Sequence, residues 1–100
     1  MTAGPRLTVI VPVFNEEATI ERVVRAVASV SLDHEVVVVD DASTDSTAQV
    51  LARLEGEGLV RVFRQPRNQG KGAAVRRGIA EARGEICVIQ DAVVLLAICS

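Results

Sequence analysis

The chain has 100 residues, of which 49% are hydrophobic and only 2% aromatic, and its formal net charge at pH 7 is −2. This length suits one domain, over residues 1–100, with a modest aliphatic core, and the slight negative charge argues against nucleic acid as a partner. No apolar run reaches the ~18 residues that a membrane span needs. Cys87 and Cys99 lack the spacing of metal ligands, so we expect small buried thiols in a cytoplasmic protein.

Strand and helix patterns alternate along the chain. Continuous apolar runs rich in β-branched residues predict strands, and runs with apolar side chains on one face predict helices. Ser43 or Thr44 is expected to cap the second helix. In chain order the predicted elements are a strand over 6–15, a helix over 16–30, a strand over 34–43, a helix over 45–55, a strand over 59–65, a helix over 73–83 and a strand over 85–90.

This order predicts an α/β fold. Apolar strands that alternate with helices are typical of a parallel sheet covered by helices on both faces, and right-handed crossovers make it a Rossmann-like βαβαβαβ sheet. The strand over 59–65 alternates apolar and basic residues, so we expect it near an edge of the sheet. Ligands of such sheets bind at the carboxyl ends of the strands.

Polar residues follow the predicted strands at that edge. The first strand ends at Asn15 and Glu16, the second at Asp40 and Asp41, and the last at Asp91. Carboxylates at the ends of several strands favour a binding or catalytic site. Two further acids in these segments, Glu17 and Asp45, are expected instead to cap the N-termini of helices.

The sequence also contains a glycine-flanked lysine and a single histidine. Lys71 lies between two glycines ahead of a predicted helix, and a helix start with a nearby cation suits a diphosphate, although glycines also make plain turns. The pattern is not a P-loop, because GxxxxGK[ST] is absent. His34 precedes the second strand, away from the binding edge, and is expected to be a solvated turn residue, so no Ser/His/Asp set can form.

Asp91 follows the last predicted strand directly. A carboxylate there, with phosphate oxygens of a ligand, suits Mg²⁺ or Mn²⁺. One carboxylate alone is a poor anchor for a metal ion.

Four segments together resemble a known family. "VIVPVFNEEATI" (9–20), "VVVVDDASTDST" (36–47), "NQGKGAAVRRGI" (68–79) and "GEICVIQDA" (84–92) are similar to the family 2 inverting glycosyltransferases of GT-A fold. The similarity is greatest to the polyprenyl-phosphate (dolichol-phosphate) mannosyl- or glucosyltransferase branch and extends over residues 7–92. It implies that the chain is the N-terminal, nucleotide-binding half of a GT-A fold.

The resemblance also implies site residues. In the family the first segment holds the base and ribose of the nucleotide, and Phe14 stands where a tyrosine is usual, which keeps stacking and loses a hydroxyl. The family's D-x-D metal motif begins at Asp91, but its third position is Val93 instead of an aspartate. The implied nucleotide-sugar-binding residues are Pro12, Phe14, Glu16, Val39, Asp41, Lys71, Asp91 and Ala92, and the implied metal ligand is Asp91.

The implied reaction is inverting transfer of a hexose from GDP- or UDP-hexose to a lipid phosphate, with Mg²⁺ or Mn²⁺, at the cytoplasmic face of a membrane. The family's catalytic base has no counterpart, so the catalytic residues are unknown. Residues 93–100 form a divergent apolar tail, as expected from a truncated or frameshifted product, and we expect little transferase activity. Alternatives are a non-catalytic nucleotide-binding module, a nucleotidyltransferase, which "VPVFNEE" with neither glycine nor arginine disfavours, and a self-associating fragment without function of its own.

Overall fold

The computed structural model describes residues 5–90 and the backbone of residues 95–98. Within these limits the strands and helices alternate as the sequence predicts, and one further strand follows. The elements are β1 (Leu7–Val13), α1 (Ile20–Ala28), β2 (His34–Asp40), α2 (Thr47–Gly56), β3 (Arg61–Arg64), α3 (Lys71–Glu81), β4 (Ile86–Ile89) and β5 (Leu95–Ile98).

The strands form one sheet in the order β3-β2-β1-β4-β5. The pairs β1–β2, β2–β3 and β1–β4 are parallel, which confirms the predicted parallel sheet, and β3 lies at its edge as expected. The last strand, β5, runs antiparallel to β4. It falls in the segment expected to be a divergent tail, where the sequence pattern predicts no strand.

Helices cover both faces of the sheet. On one face α1 and α2 pack on the odd-numbered side chains of β1, and the fully buried Val24, Leu51 and Leu54 fill this layer. On the other face α3 packs on the even-numbered side chains, where Gly78 lies directly over Ile10. A Cβ atom at Gly78 would come within 2.5 Å of Ile10 Cγ2, so a glycine is what lets α3 approach the sheet closely.

The amino-terminal edge of the sheet is tied together by Glu35. Its carboxylate accepts hydrogen bonds from the Thr8 hydroxyl at 2.6 Å, the Arg83 amide at 2.7 Å and the Arg61 guanidinium at 2.7 Å. Burial raises the pKa of Glu35, but these hydrogen bonds outweigh it, so the pKa lies below its ordinary value. The site at the opposite edge therefore rests on strands whose other ends are fixed.

Several local expectations change. The α1 helix begins at Ile20 rather than residue 16, and α2 begins at Thr47 without a side-chain cap from its N-cap residue, so neither Ser43 nor Thr44 caps it. Cys87 is buried as expected but is joined in a disulfide rather than being a thiol; Cys99 lies outside the described residues.

His34 is half-buried, with both ring nitrogens within hydrogen-bond distance of main-chain carbonyls, which corrects the expected solvated turn residue. Among the helices that the structure describes, none is long and apolar enough to span a bilayer.

Candidate functional site

A pocket of about 130 Å³ opens at the carboxyl edge of the sheet. It lies beside β1, where the strand order changes direction because β2 and β4 flank β1 on opposite sides. Such switch points are where open α/β sheets bind ligands. The pocket is lined by Pro12, Val13, Phe14, Glu16, Asp41, Lys71 and Ala74.

Asp41 connects the pocket to the loop that precedes α3. It is only 5% exposed, and its two carboxylate oxygens accept hydrogen bonds from the amides of Gln69 and Gly70, each at 2.9 Å. Gly70 has φ 93°, a conformation that residues with a Cβ rarely adopt. Asp41 and Gly70 therefore fix the position of Lys71, the first residue of α3, at the pocket wall.

Asn15 holds the end of β1 against the loop after β2. It has φ 51°, which asparagine tolerates better than most residues. Its side-chain oxygen accepts a hydrogen bond from the Thr44 amide at 2.8 Å, and its main-chain amide donates to the Ser43 hydroxyl at 2.9 Å. These bonds place Phe14 and Glu16, on either side of Asn15, at the rim of the pocket.

The start of α2 is held by acidic side chains. The Glu17 carboxylate accepts the Ser46 amide at 2.9 Å, and Asp45 accepts the Thr47 amide at 2.8 Å, which confirms the expected helix-capping role of both acids. Burial raises the pKa of Asp45, but hydrogen bonds from Thr47 and Glu17 outweigh it and leave the pKa below its ordinary value. Neither acid lines the pocket.

Asp40 is buried in the fold with its charge compensated by Arg64. It is buried, and its carboxylate accepts the Ser43 amide at 2.9 Å and the Arg64 guanidinium at 2.7 Å. Arg64 also donates to the Ser43 carbonyl at 3.0 Å. This pairing keeps an uncompensated carboxylate away from a pocket that already holds Glu16 and Asp41.

The structure brings together Pro12, Phe14, Glu16, Asp41 and Lys71 around one pocket. Of the other predicted site residues, Val39 is fully buried and packs with Val37 and Ala74, and it does not line the pocket. Asp91 and Ala92 lie outside the described residues.

The sequence predicted no individual role for Asn15 or for Arg64. Both act through hydrogen bonds to residues more than twenty positions away along the chain. The positive φ of Asn15 reflects a residue type that favours turns, and this was the one signal available in the sequence.

The described residues do not by themselves form a metal centre. In that part of the chain no group of three or more His, Cys, Asp or Glu side chains could hold an ion. The carboxylates of Asp40 and Asp41, at the end of β2, already accept hydrogen bonds from amides or an arginine.

The arrangement suits a planar, anionic ligand. Phe14 is 42% exposed at the rim and offers a ring face for stacking. Lys71 supplies positive charge at the start of an 11-residue helix, and Glu16 supplies acceptor oxygens. The pocket thus combines an aromatic surface, a carboxylate and a cation, a set suited to a nucleotide.

Comparison with known proteins agrees with this geometry. The profile of the family described as "Glycosyl transferase family 2" matches residues 8–92. A dolichol-phosphate mannosyltransferase of Pyrococcus furiosus is 36% identical over 89 residues, which cover 87% of this chain and 25% of that protein. The chain spans about a quarter to a third of the length of the curated relatives it matches.

Solved structures share the fold. The mannosyltransferase PcManGT from Pyrobaculum calidifontis, in complex with GDP-Man and Mn²⁺, superimposes with a TM-score of 0.79 at 36% identity, over 90% of this chain and 28% of that one. TarS of S. aureus in complex with UDP gives a TM-score of 0.78 at 31% identity, over 86% and 27% of the two chains. These similarities confirm the expected fold class, the N-terminal part of a GT-A glycosyltransferase.

Proposed function

Because the chain belongs to glycosyl transferase family 2, we propose that it forms the part of an inverting hexosyltransferase that binds the nucleoside diphosphate sugar. The donor is a GDP- or UDP-hexose, since the similar solved structures hold GDP-Man or UDP. The acceptor is a lipid phosphate such as a polyprenyl phosphate, the class named in a similar mannosyltransferase. We place the reaction at the cytoplasmic face of a membrane, where such an acceptor is within reach.

One observation carries the proposal. Phe14, Glu16, Asp41 and Lys71 come from three separate segments of the chain, and all four line a single pocket at the switch point of the sheet. Pro12 lies in the same wall. An aromatic ring, carboxylates and a cation around one cavity match the base, ribose and diphosphate of one ligand.

Each residue then has a proposed role. Phe14 stacks on the nucleobase, Glu16 accepts hydrogen bonds from the ribose, and Lys71 offsets the charge of the diphosphate. Asp41 retains unoccupied lone pairs beside its bonds to the loop amides, and it accepts hydrogen bonds from the base. Val39 contributes by packing beneath the pocket rather than by side-chain contact.

A divalent ion, Mg²⁺ or Mn²⁺, would be held by Asp91 together with oxygens of the diphosphate and by water. Magnesium commonly binds through one or two carboxylates plus substrate phosphates, so a single aspartate, with Val93 two positions later, fits weak binding that needs the nucleotide. When bound, the ion would neutralise the departing diphosphate. Ala92 lies between these two positions and would border the donor.

Calorimetric titration tests the proposal directly. The chain is titrated with GDP and with UDP, each with and without Mn²⁺, and we expect binding of one nucleotide that strengthens with the metal. Lys71→Ala should weaken binding of the diphosphate more than that of the nucleoside, because the proposed role of the lysine is to offset the charge of the phosphates. Arg22→Ala, an exposed change on α1, is the control and should leave both unchanged.

The alternative is a non-catalytic module that binds nucleotide without a metal, and the valine at position 93 favours it. Such a module would bind GDP or UDP equally well in the presence of a chelator. Asp91→Asn separates the two cases: it should abolish the effect of Mn²⁺ in an enzyme-like site and change nothing in the module. A folded chain that binds neither nucleotide contradicts both.

A further inference from the structure

A stretch of the chain beside the pocket carries only positive charge. Between residues 61 and 80 there is no aspartate or glutamate, whereas arginine and lysine recur throughout. This stretch comprises β3, the following loop and nearly all of α3. The whole chain, by contrast, has a net charge of −2, so this stretch departs from the overall balance of charge.

Two of these cations have no acidic partner within the described part of the chain. Arg61 pairs with Glu35, and Arg77 pairs with Glu81. By contrast, the exposed side chains of Arg67 and Arg76 make no ion pair with any described residue. Arg64 keeps half of its side chain in solvent although it bonds Asp40.

The opposite face of the sheet is built differently. There Glu21 and Glu57, on or just after the helices, each contact Arg25 and Arg53, so that the charges of α1 and α2 compensate one another. Ion pairs that offset each other give a face with little net potential. The excess of cations on the α3 side is therefore a local property and not a general feature of the surface.

Arg67 and Arg76 lie close to the pocket. The Arg76 guanidinium folds back along α3, and its Nη1 atom lies 3.4 Å from the point where a Gly72 Cβ would be. This places the charge at the first turn of α3, next to Lys71 in the pocket wall. Arg67 lies in the loop that Asp41 holds through the Gln69 and Gly70 amides. Arg64, Arg67, Lys71 and Arg76 define the basic patch.

We propose that the basic patch docks the chain on an anionic lipid bilayer, so that the mouth of the donor pocket faces the headgroups. The choice of a bilayer over another polyanion rests on the proposed function, in which the acceptor is a lipid phosphate. Clustered lysine and arginine side chains bind anionic lipid surfaces electrostatically, and the attraction falls off within a Debye length of ~10 Å at 0.1 M salt.

Co-sedimentation with vesicles tests the proposal on the full chain. Vesicles of phosphatidylcholine alone are compared with vesicles that also contain phosphatidylglycerol, over a series of salt concentrations. We expect binding to the anionic vesicles only, and a steady loss of binding as salt rises. Binding that is absent from anionic vesicles at low salt, or insensitive to salt, would overturn the proposal without any variant.

Paired variants locate the surface. Arg67→Gln with Arg76→Gln should reduce partition onto anionic vesicles roughly 30-fold, from the usual contribution of two basic residues near such a surface. Arg6→Gln with Arg22→Gln removes the same charge at exposed positions. Arg6 precedes β1, at the edge of the sheet opposite the pocket, and Arg22 lies on α1, on the face opposite α3. This control pair should leave partition nearly unchanged. Equal losses of partition in the two pairs of variants would mean that net charge alone drives binding, and would overturn the proposed role of the basic patch.

Two further measurements separate this proposal from the proposed function. Nucleotide affinity is measured calorimetrically on the Arg67→Gln and Arg76→Gln pair, and it should be retained because neither side chain lines the pocket. A chain that binds vesicles but no nucleotide would contradict the donor site alone. Tighter binding to a single-stranded RNA homopolymer than to anionic vesicles would contradict the bilayer proposal alone.

Discussion

Ala42 adopts a backbone conformation that is unusual for its residue type. Its φ of 63° lies in the left-handed region, which costs residues with a Cβ atom about 1–2 kcal/mol. The strain persists because Asp41 and Ser43, its neighbours, are both held by hydrogen bonds. The loop that carries Asp41 is thus kept in shape by its surroundings rather than by its own preference.

We expect Ala42→Gly to stabilise the chain. Glycine adopts this conformation freely, and after its larger loss of backbone entropy the gain in the free energy of unfolding should be roughly 0.5–1 kcal/mol. Urea unfolding measures the change. Ala80→Gly, at an exposed position of α3, is the matched control and should cost about 1 kcal/mol. A destabilising effect of Ala42→Gly would show that the backbone is not strained there.

The carboxylate of Asp41 should not tolerate replacement by an amide. In Asp41→Asn one of the two loop amides would face an NH₂ group instead of an oxygen, which should cost about 1–3 kcal/mol of stability. Nucleotide binding should weaken with it, because the loop carrying Lys71 loses its anchor. Asp33→Asn, at an exposed acid that accepts a single amide hydrogen bond, should change stability by less than about 0.5 kcal/mol.

The placement of single residues was predictable only in part. The residues around the pocket could be expected, because strand ends of a parallel sheet meet at one edge. Val39 is buried because it belongs to a continuous apolar strand. Its segment resembles a nucleotide-binding segment of the family, and that resemblance alone implied a binding role for the side chain. The bonds of Asn15 and Arg64 could not be foreseen, since their partners are brought near only by the folded sheet.

At the scale of elements, close packing of α3 and the following turn depends on glycine. A Cβ atom at Gly84 would lie 2.8 Å from the backbone of Leu7 and Thr8, so we expect Gly84→Ala to cost about 1–3 kcal/mol. At Gly56, the last residue of α2, nothing lies within 4 Å of such an atom. Gly56→Ala should therefore be neutral or stabilising by up to about 1 kcal/mol. Similar urea midpoints for the two variants would contradict this packing.

The ion pairs between α1 and α2 predict a response to pH. Hydrogen bonds from Arg53 and Arg25 lower the pKa of Glu21 from 4.5 to about 2. A carboxyl whose pKa is lowered on folding adds stability that is present above pH 4.5 and is lost as the pH falls through about 2.

Thermal unfolding of the native chain and of Glu21→Gln tests this. The native chain should be the more stable at neutral pH, and the two melting temperatures should converge towards pH 2. The difference should also shrink in concentrated salt, because these side chains are exposed. A difference that persists at the lowest pH would assign the effect to packing of the side chain instead.

Element boundaries were less predictable than element order. The predicted helix over 16–30 begins at Ile20 because Glu16 and Glu17 are tied to α2 instead: the Glu16 amide donates to the Thr47 hydroxyl, and the Glu17 carboxylate accepts the Ser46 amide. A local pattern cannot show that an acid will serve a different helix. β5 was missed because its pairing with β4 is a tertiary contact, which a short apolar run does not reveal.

For the molecule as a whole, ligand binding should raise thermal stability. A nucleotide that binds only the folded chain adds about 2.7 kcal/mol at one hundred times its dissociation constant. The melting temperature should rise with the preferred nucleotide diphosphate and Mn²⁺, and should rise less with the nucleoside. The absence of any shift at saturating nucleotide would contradict a donor site formed by this chain.

The parallel α/β architecture follows from the sequence because apolar strands buried on both faces leave few other arrangements. The same pattern does not show the order of the strands in the sheet. That order places β4 beside β1 and so opens the pocket there. That order depends on how α3 crosses the sheet, and the glycine contact with Ile10 that permits the crossing is visible only in three dimensions.

The side chains that hold the three pocket segments together are mostly not part of the cavity lining: Asn15 bonds the loop after β2, and Arg64 bonds Asp40 and Ser43. Asp41, which bonds main-chain amides, belongs to both sets. Scaffold and lining are therefore largely separate sets of side chains. Phe14 and Ala74 line the cavity without holding the loops. Substitutions at these two positions could diversify ligand preference while the framework stays intact, which makes this short domain a convenient starting point for directed evolution.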